Sequence, residues 1–185
     1  MGSGRHPVDG LCVAVDVHYF SSSGARTVAV VAGDAAFSQV VADRTVVVPG
    51  VAPYRPGEFC RRELPPLRAV LHGLAGLGLL VVDGYADLDP GGRPGLGSHA
   101  HAVLGIPVIG VAKSAFRTAT HAIPVLRGTS ARPVFVTAAG MPSADAAELV
   151  RLMAGRFWVP DALRRADQLA RAVPPTVLQG SHHLG

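Results

Sequence analysis

Apolar residues along this chain fall first into short alternating or continuous runs, and only later into runs with helical spacing. Leu11 to Phe20 is dense in valine and aromatics, Thr27 to Ala32 reads TVAVVA, and Val40 to Val48 alternates before ending in TVVV. Such segments predict strands. Ser21-Ser22-Ser23-Gly24 and Gly33-Asp34 supply turn chemistry between them, and connections this short make an antiparallel meander the simplest arrangement. The pattern changes at Pro49 to Gly57, a rigid, donor-poor stretch with three prolines that suits neither sheet nor helix. Leu64, Leu67, Val70, Leu71 and Leu74 then recur at helical spacing within Phe59 to Leu74, with the helix expected to enter around Pro65 and Pro66, because proline is tolerated in a first turn.

The buried strand LLVVD, a glycine-rich loop from Gly91 to Gly97, a short helix around Ser98 to Leu104 and an apolar strand Val108 to Val111 come next. Val125-Leu126 and Pro133 to Ala138 read as further strands, Asp145 to Met153 and Ala162 to Val173 as helices. A meander followed by strands alternating with helices predicts an α/β architecture, a mixed sheet flanked by helices. One domain is expected over residues 11–173, between a loose N-terminal tail (1–10) and a loose C-terminal tail (174–185). A length of 185 residues, 49% of them hydrophobic, is enough for one proper core and argues against disorder.

No apolar run approaches the ~18–20 residues needed to cross a bilayer; the candidate from Leu77 to Val82 stops at Asp83. The N-terminal residues Met1 to His6 lack the apolar stretch of a signal peptide, so no membrane association and a cytoplasmic protein are expected. Of the two cysteines, Cys12 lies in a strand-like run and reads as a small core residue. Neither it nor Cys60 belongs to a C-x-x-C pair that would indicate zinc. The net charge is +4, and Lys113 is the single lysine among 17 basic residues. The pI near 9.7 fits a polyanionic partner, although arginine abundance can also reflect a GC-rich genome.

Two aspartates stand where a core strand should carry none. Asp16 lies in VAVDVHY and Asp83 in LLVVDGY, and a charge inside an apolar strand is costly unless it is paired or bound to a cation. Asp83-Gly84 alone could be turn chemistry. Asp16 is harder to dismiss, because apolar residues continue on both sides of it. Two such carboxylates and a third from a helix form the all-oxygen donor set preferred by Mg²⁺ or Mn²⁺. Glu63, in EFCRRELPP beside Arg61-Arg62, is the natural third.

The segments AVDVHY, APYRPGEFCRRELP, LLVVDGYADLDP, GLGSHAHAVLGIPVIGVAKS, FVTAAGMPSADAA and WVPDALRRAD resemble, in order, the successive blocks of the endonuclease V family. The resemblance covers roughly residues 11–170. It implies a ribonuclease-H-like fold, a requirement for Mg²⁺ or Mn²⁺, and cleavage of DNA or RNA on the 3′ side of deaminated purines, one nucleotide beyond the inosine. Carried over motif by motif, Asp16, Glu63 and Asp83 would be the metal ligands. Asp167 would support the metal site from a C-terminal helix, and Lys113 would support the scissile phosphate. The loop Pro53-Tyr54-Arg55-Pro56-Gly57 would be a wedge that takes the place of the flipped base. Gly57, Gly84 and Ser114 would shape the base pocket. His99 matches the family's Ser-His pair and reads as a structural or pocket-lining residue, since an oxygen-rich site selects hard cations.

The chain departs from the family pattern at several points. It has only about ten residues before the first strand, where relatives carry a helix, and it is shorter between Ala115 and Pro133. Met141 replaces a histidine, Asp89 stands where a pocket histidine is common, and Ala86 where a glycine is usual. These departures motivate two rival expectations. One is a divergent paralogue recruited to another metal-dependent reaction; the other is a non-catalytic nucleic-acid-binding module.

Overall fold

In the computed structural model, which describes residues 8–20, 24–52 and 59–172, seven strands and four helices share one mixed sheet. The meander β1 (Leu11–Tyr19), β2 (Ala25–Ala32) and β3 (Val40–Val48) is antiparallel throughout. After α1 (Phe59–Leu71), strand β4 (Leu77–Asp83) enters beside β1 and parallel to it. Helix α2 (Leu96–Leu104) then carries the chain over to β5 (Val108–Ala112), parallel to β4. The sheet order is β3-β2-β1-β4-β5-β7-β6, with β6 (Ile123–Val125) and β7 (Val134–Ala139) closing the far edge. That edge turns antiparallel again, β7 to β5 and β6 to β7, because no helix separates β5 from these strands. Only the β1–β4–β5 centre has the crossovers that parallel strands require.

Period-2 alternation divides the interior in two. Cys12, Ala14, Val28, Val30, Leu79, Val81, Ile109 and Val111 face a larger core under α3 (Ser143–Leu152) and α4 (Asp161–Arg171). Val13, Val15, Ala29, Val31, Leu80, Val82 and Val108 face a smaller one under α1 and α2. Val8, within the expected N-terminal tail, packs against the larger core.

One expectation is overturned by α1. The helix begins at Phe59, so Pro65 and Pro66 lie inside it rather than in its first turn. Each proline withholds a helical donor. The helix continues because its C-terminal half is anchored, with Leu67, Val70 and Leu71 buried on the sheet. Among the described residues no helix is long and apolar enough to cross a membrane.

Candidate active site

The two sheet faces explain how Asp16 and Asp83 meet. Cys12 and Ala14 point into the larger core, so alternation turns Asp16 the same way. Leu79 and Val81 do so in β4, which turns Asp83 likewise. The parallel ladder pairs Ala14 with Val81 and Val15 with Val82; one step further along, Asp16 falls beside Asp83 at the C-terminal ends of adjacent strands. Lys113 lies two residues beyond Val111, the partner of Asp83 in β5, and its Nζ donates to Asp83 Oδ2 at 2.5 Å. Helix α4 crosses the same face and delivers Asp167.

The electrostatics record the crowding. The Asp16 carboxyl is pushed up to about 6, first by burial and then by Asp83 and Asp167. Protonated, it hydrogen-bonds toward Asp167. For Asp167, partial burial works against the charge, but Arg171, whose Nε donates to Oδ1 at 2.7 Å, outweighs it and holds the group below the usual range. Lys113 is the mirror case: burial opposes its charge, yet the bond to Asp83 and the nearby Asp167 and Asp16 hold its ammonium above its ordinary value.

Glu63 arrives from α1, on the opposite face, and is 8% exposed. Burial raises it to about 8, with Asp16 and Asp83 adding to the rise and Tyr19 and Arg62 opposing it. Its neighbour Tyr19 lies under Arg62, whose guanidinium carbon is 3.8 Å from the ring centroid. A carboxyl held this far above its usual range is poised to exchange a proton for a cation.

These side chains fit a divalent metal by their chemistry. Asp16, Glu63 and Asp83 are hard oxygen donors, and Asp16 and Glu63 are pushed up first by burial and then by neighbouring carboxylates, both of which a bound cation would offset. Among the described residues, no three His, Cys, Asp or Glu side chains stand close enough to hold an ion together. Lys113 supplies the positive charge beside Asp83 instead.

The remaining expected site residues are distributed around this cluster. Gly84 directly follows Asp83 with φ near +134°, a conformation that suits glycine, and its N–H donates to the Val111 carbonyl at 3.0 Å. Ser114 directly follows Lys113; its side chain is exposed and its carbonyl accepts from the Tyr85 hydroxyl at 2.8 Å. His99 is half-buried on α2. Pro53, Tyr54, Arg55, Pro56 and Gly57 lie outside the described residues. Residues that pattern-reading passed over are Tyr19 and Tyr85. Their signal was proximity in sequence to the two strand aspartates, three residues after Asp16 and two after Asp83.

An antiparallel meander joined through β1 to the parallel strands β4 and β5, with helices on both faces, is a ribonuclease-H-like arrangement. Comparison with known proteins narrows this class. The family profile described as Endonuclease V matches residues 4–128. The Endonuclease V of Streptomyces coelicolor is 36% identical, across 91% of this chain and 81% of its own length. The crystal structure of Endonuclease V from Streptomyces avermitilis superposes with a TM-score of 0.72 at 34% identity, covering 91% of this chain and 82% of that one. The Ciona intestinalis enzyme, in complex with a 23mer DNA containing an inosine followed by a ribo-adenosine, shares the fold with a TM-score of 0.72 at 21% identity, covering 88% of this chain and 84% of that one. This chain belongs to the Endonuclease V family.

Proposed function

We propose that this chain is an endonuclease that depends on Mg²⁺ or Mn²⁺ and cuts a phosphodiester on the 3′ side of deaminated purines, inosine above all, in DNA or RNA. The observation that carries the reading is that Asp16 and Asp83 lie on adjacent strands, that both act electrostatically on Glu63, and that Lys113 donates to Asp83. Family membership supports nuclease chemistry, and the inosine-containing DNA held by the Ciona relative suggests the lesion.

Asp16, Glu63 and Asp83 would hold the ion, which when bound supplies an activated water and offsets charge on the phosphate. For that, Asp16 and Glu63 give up the protons their burial favours. Lys113 has three donors, one of them committed to Asp83, and it can present another to a phosphate oxygen as a compact point charge. Asp167, itself held by Arg171, orients Asp16. The loop from Pro53 to Gly57 is assigned the wedge role and Gly84, Ser114 and His99 the surroundings of the flipped base, whose extrusion costs a few kcal/mol.

One observation favours recruitment to a different metal-dependent reaction. Asp89, where relatives carry a pocket histidine, is committed to Arg93 through both its backbone N–H and its guanidinium. A nicking assay with Mn²⁺ on inosine-containing and plain oligonucleotides separates the readings. Selective nicking of the inosine strand, abolished in Asp83→Ala, is expected. Nicking of neither strand by the parent would overturn the proposal.

A further inference from the structure

Beside Asp83 and Lys113 stands an aromatic pair that the chemistry above does not use. The chain after β4 folds back over β5, and Gly110 permits the crossing: a Cβ there would lie 2.4 Å from the Ala86 nitrogen. The crossing fixes Tyr85 against the loop after β5. The Tyr85 hydroxyl donates to the Ser114 carbonyl at 2.8 Å and accepts from the Phe116 N–H at 3.0 Å. With both roles used, its ring cannot swing away. Phe116 lies against it, ring centroids 5.9 Å apart and planes tilted by 46°, yet Phe116 is itself 44% exposed.

The two loops are tied again further along. The Thr118 hydroxyl donates to the Leu88 carbonyl at 2.5 Å and accepts from Arg93 Nη2 at 3.1 Å, while Arg93 pairs with Asp89 at 3.2 Å. The loop is thus held at two points and displays an exposed phenyl ring three residues from Lys113 and next to the exposed Arg117. That arrangement favours contact, because the ring's position is settled before anything binds.

We infer that Phe116, backed by Tyr85, is a stacking platform for one unpaired nucleobase beside the phosphate that Lys113 contacts. This rests on the nuclease reading above and refines its substrate: a strand with a base already free of its stack at that position, as in single-stranded or locally opened nucleic acid. Base–aromatic stacking accepts any base, since every base has a π face, so Phe116 adds affinity without choosing the lesion. It is a binding residue and not a catalytic one.

The test is oligonucleotide binding without added metal, by fluorescence anisotropy. It uses single strands containing inosine, and a series in which one nucleotide at a time near the inosine is made abasic. The parent should lose about ten- to a hundredfold in affinity at one abasic position, the usual worth of one stacked base. Phe116→Leu keeps apolar bulk over Tyr85 but has no π face; it should bind the intact strand as weakly as the parent binds that abasic strand, and be indifferent to the abasic site. Phe116→Trp should restore the discrimination. An abasic profile of Phe116→Leu identical to the parent's, with binding intact, overturns the stacking role alone. Failure of the parent to bind any strand overturns this inference, while the nuclease reading stands or falls by the nicking assay above.

Discussion

Two charged groups are drawn out of water in this protein, Arg127 and Glu63, and they are treated in opposite ways. Arg127 is 4% exposed. Its Nη1 donates to the Phe157 carbonyl at 3.0 Å, and its Nη2 reaches the carbonyls of Met153, Ala154 and Gly155. These carbonyls belong to the C-cap of α3, Met153, and to the turn that follows it, so the cation also sits near the negative end of that helix's dipole. Burial still pulls the guanidinium below its ordinary range, but the charge has partners. Glu63 is buried to a similar degree, and two of its neighbours are further carboxylates. The contrast separates a charge that holds a structure together from charges kept in conflict. In the free chain a proton on Glu63 resolves the second arrangement, and a bound cation would take that proton's place.

The widest gap between the two should appear on truncation. Arg127→Met takes the guanidinium from the carbonyls of Met153, Gly155 and Phe157, while Ala154 keeps the Asp161 N–H, and is expected to cost about 2–4 kcal/mol. For a domain of this size that is roughly a 5–15 °C fall in Tm, readable by calorimetry, with nicking per folded molecule unchanged. Loss of nicking without loss of Tm would place Arg127 on the functional side of the comparison instead.

Acidity sharpens the other half. Glu63 and Asp16 have native values of about 8 and 6, above their ordinary values of 4.5 and 3.8. A raised carboxyl contributes stability that is fully present below its unfolded value and lost as pH rises through the folded one. With chelator present, Tm should therefore fall between about pH 4 and pH 8. Glu63→Gln, which holds a neutral group at every pH, should flatten most of that fall. A parent Tm indifferent to pH over this window would mean the carboxyls are not in conflict.

Much of this was legible in the chain. The strands carrying Asp16 and Asp83 were legible as apolar runs, and Asp16 stood out because apolar residues continue on both sides of it, whereas Asp83-Gly84 also allowed turn chemistry. The start of α1 was misread because local proline chemistry argues for a first turn, whereas burial of Leu67, Val70 and Leu71 carries the helix through both prolines. The antiparallel edge at β7 depends on which strand lacks a crossover helix, and periodicity is silent on that. The pairing of Tyr85 with Phe116 was out of reach for a different reason. It exists only because two loops cross at Gly110, and no spacing within either loop encodes the meeting.

The central claim is that the conflicting carboxylates await a cation, and calorimetric titration with Mn²⁺ near pH 8 tests it most directly. The parent should bind the ion and release a fraction of a proton, because ligands must be deprotonated to coordinate. That proton comes from Glu63, which at about 8 is still partly protonated at this pH, while Asp16, at about 6, is already ionised. Asp16→Ala and Asp83→Ala should bind at least about tenfold more weakly, since even outer-shell partners of a metal are worth 10- to 100-fold. Mn²⁺ binding of equal strength in the parent and both variants, or none in the parent, would contradict the account.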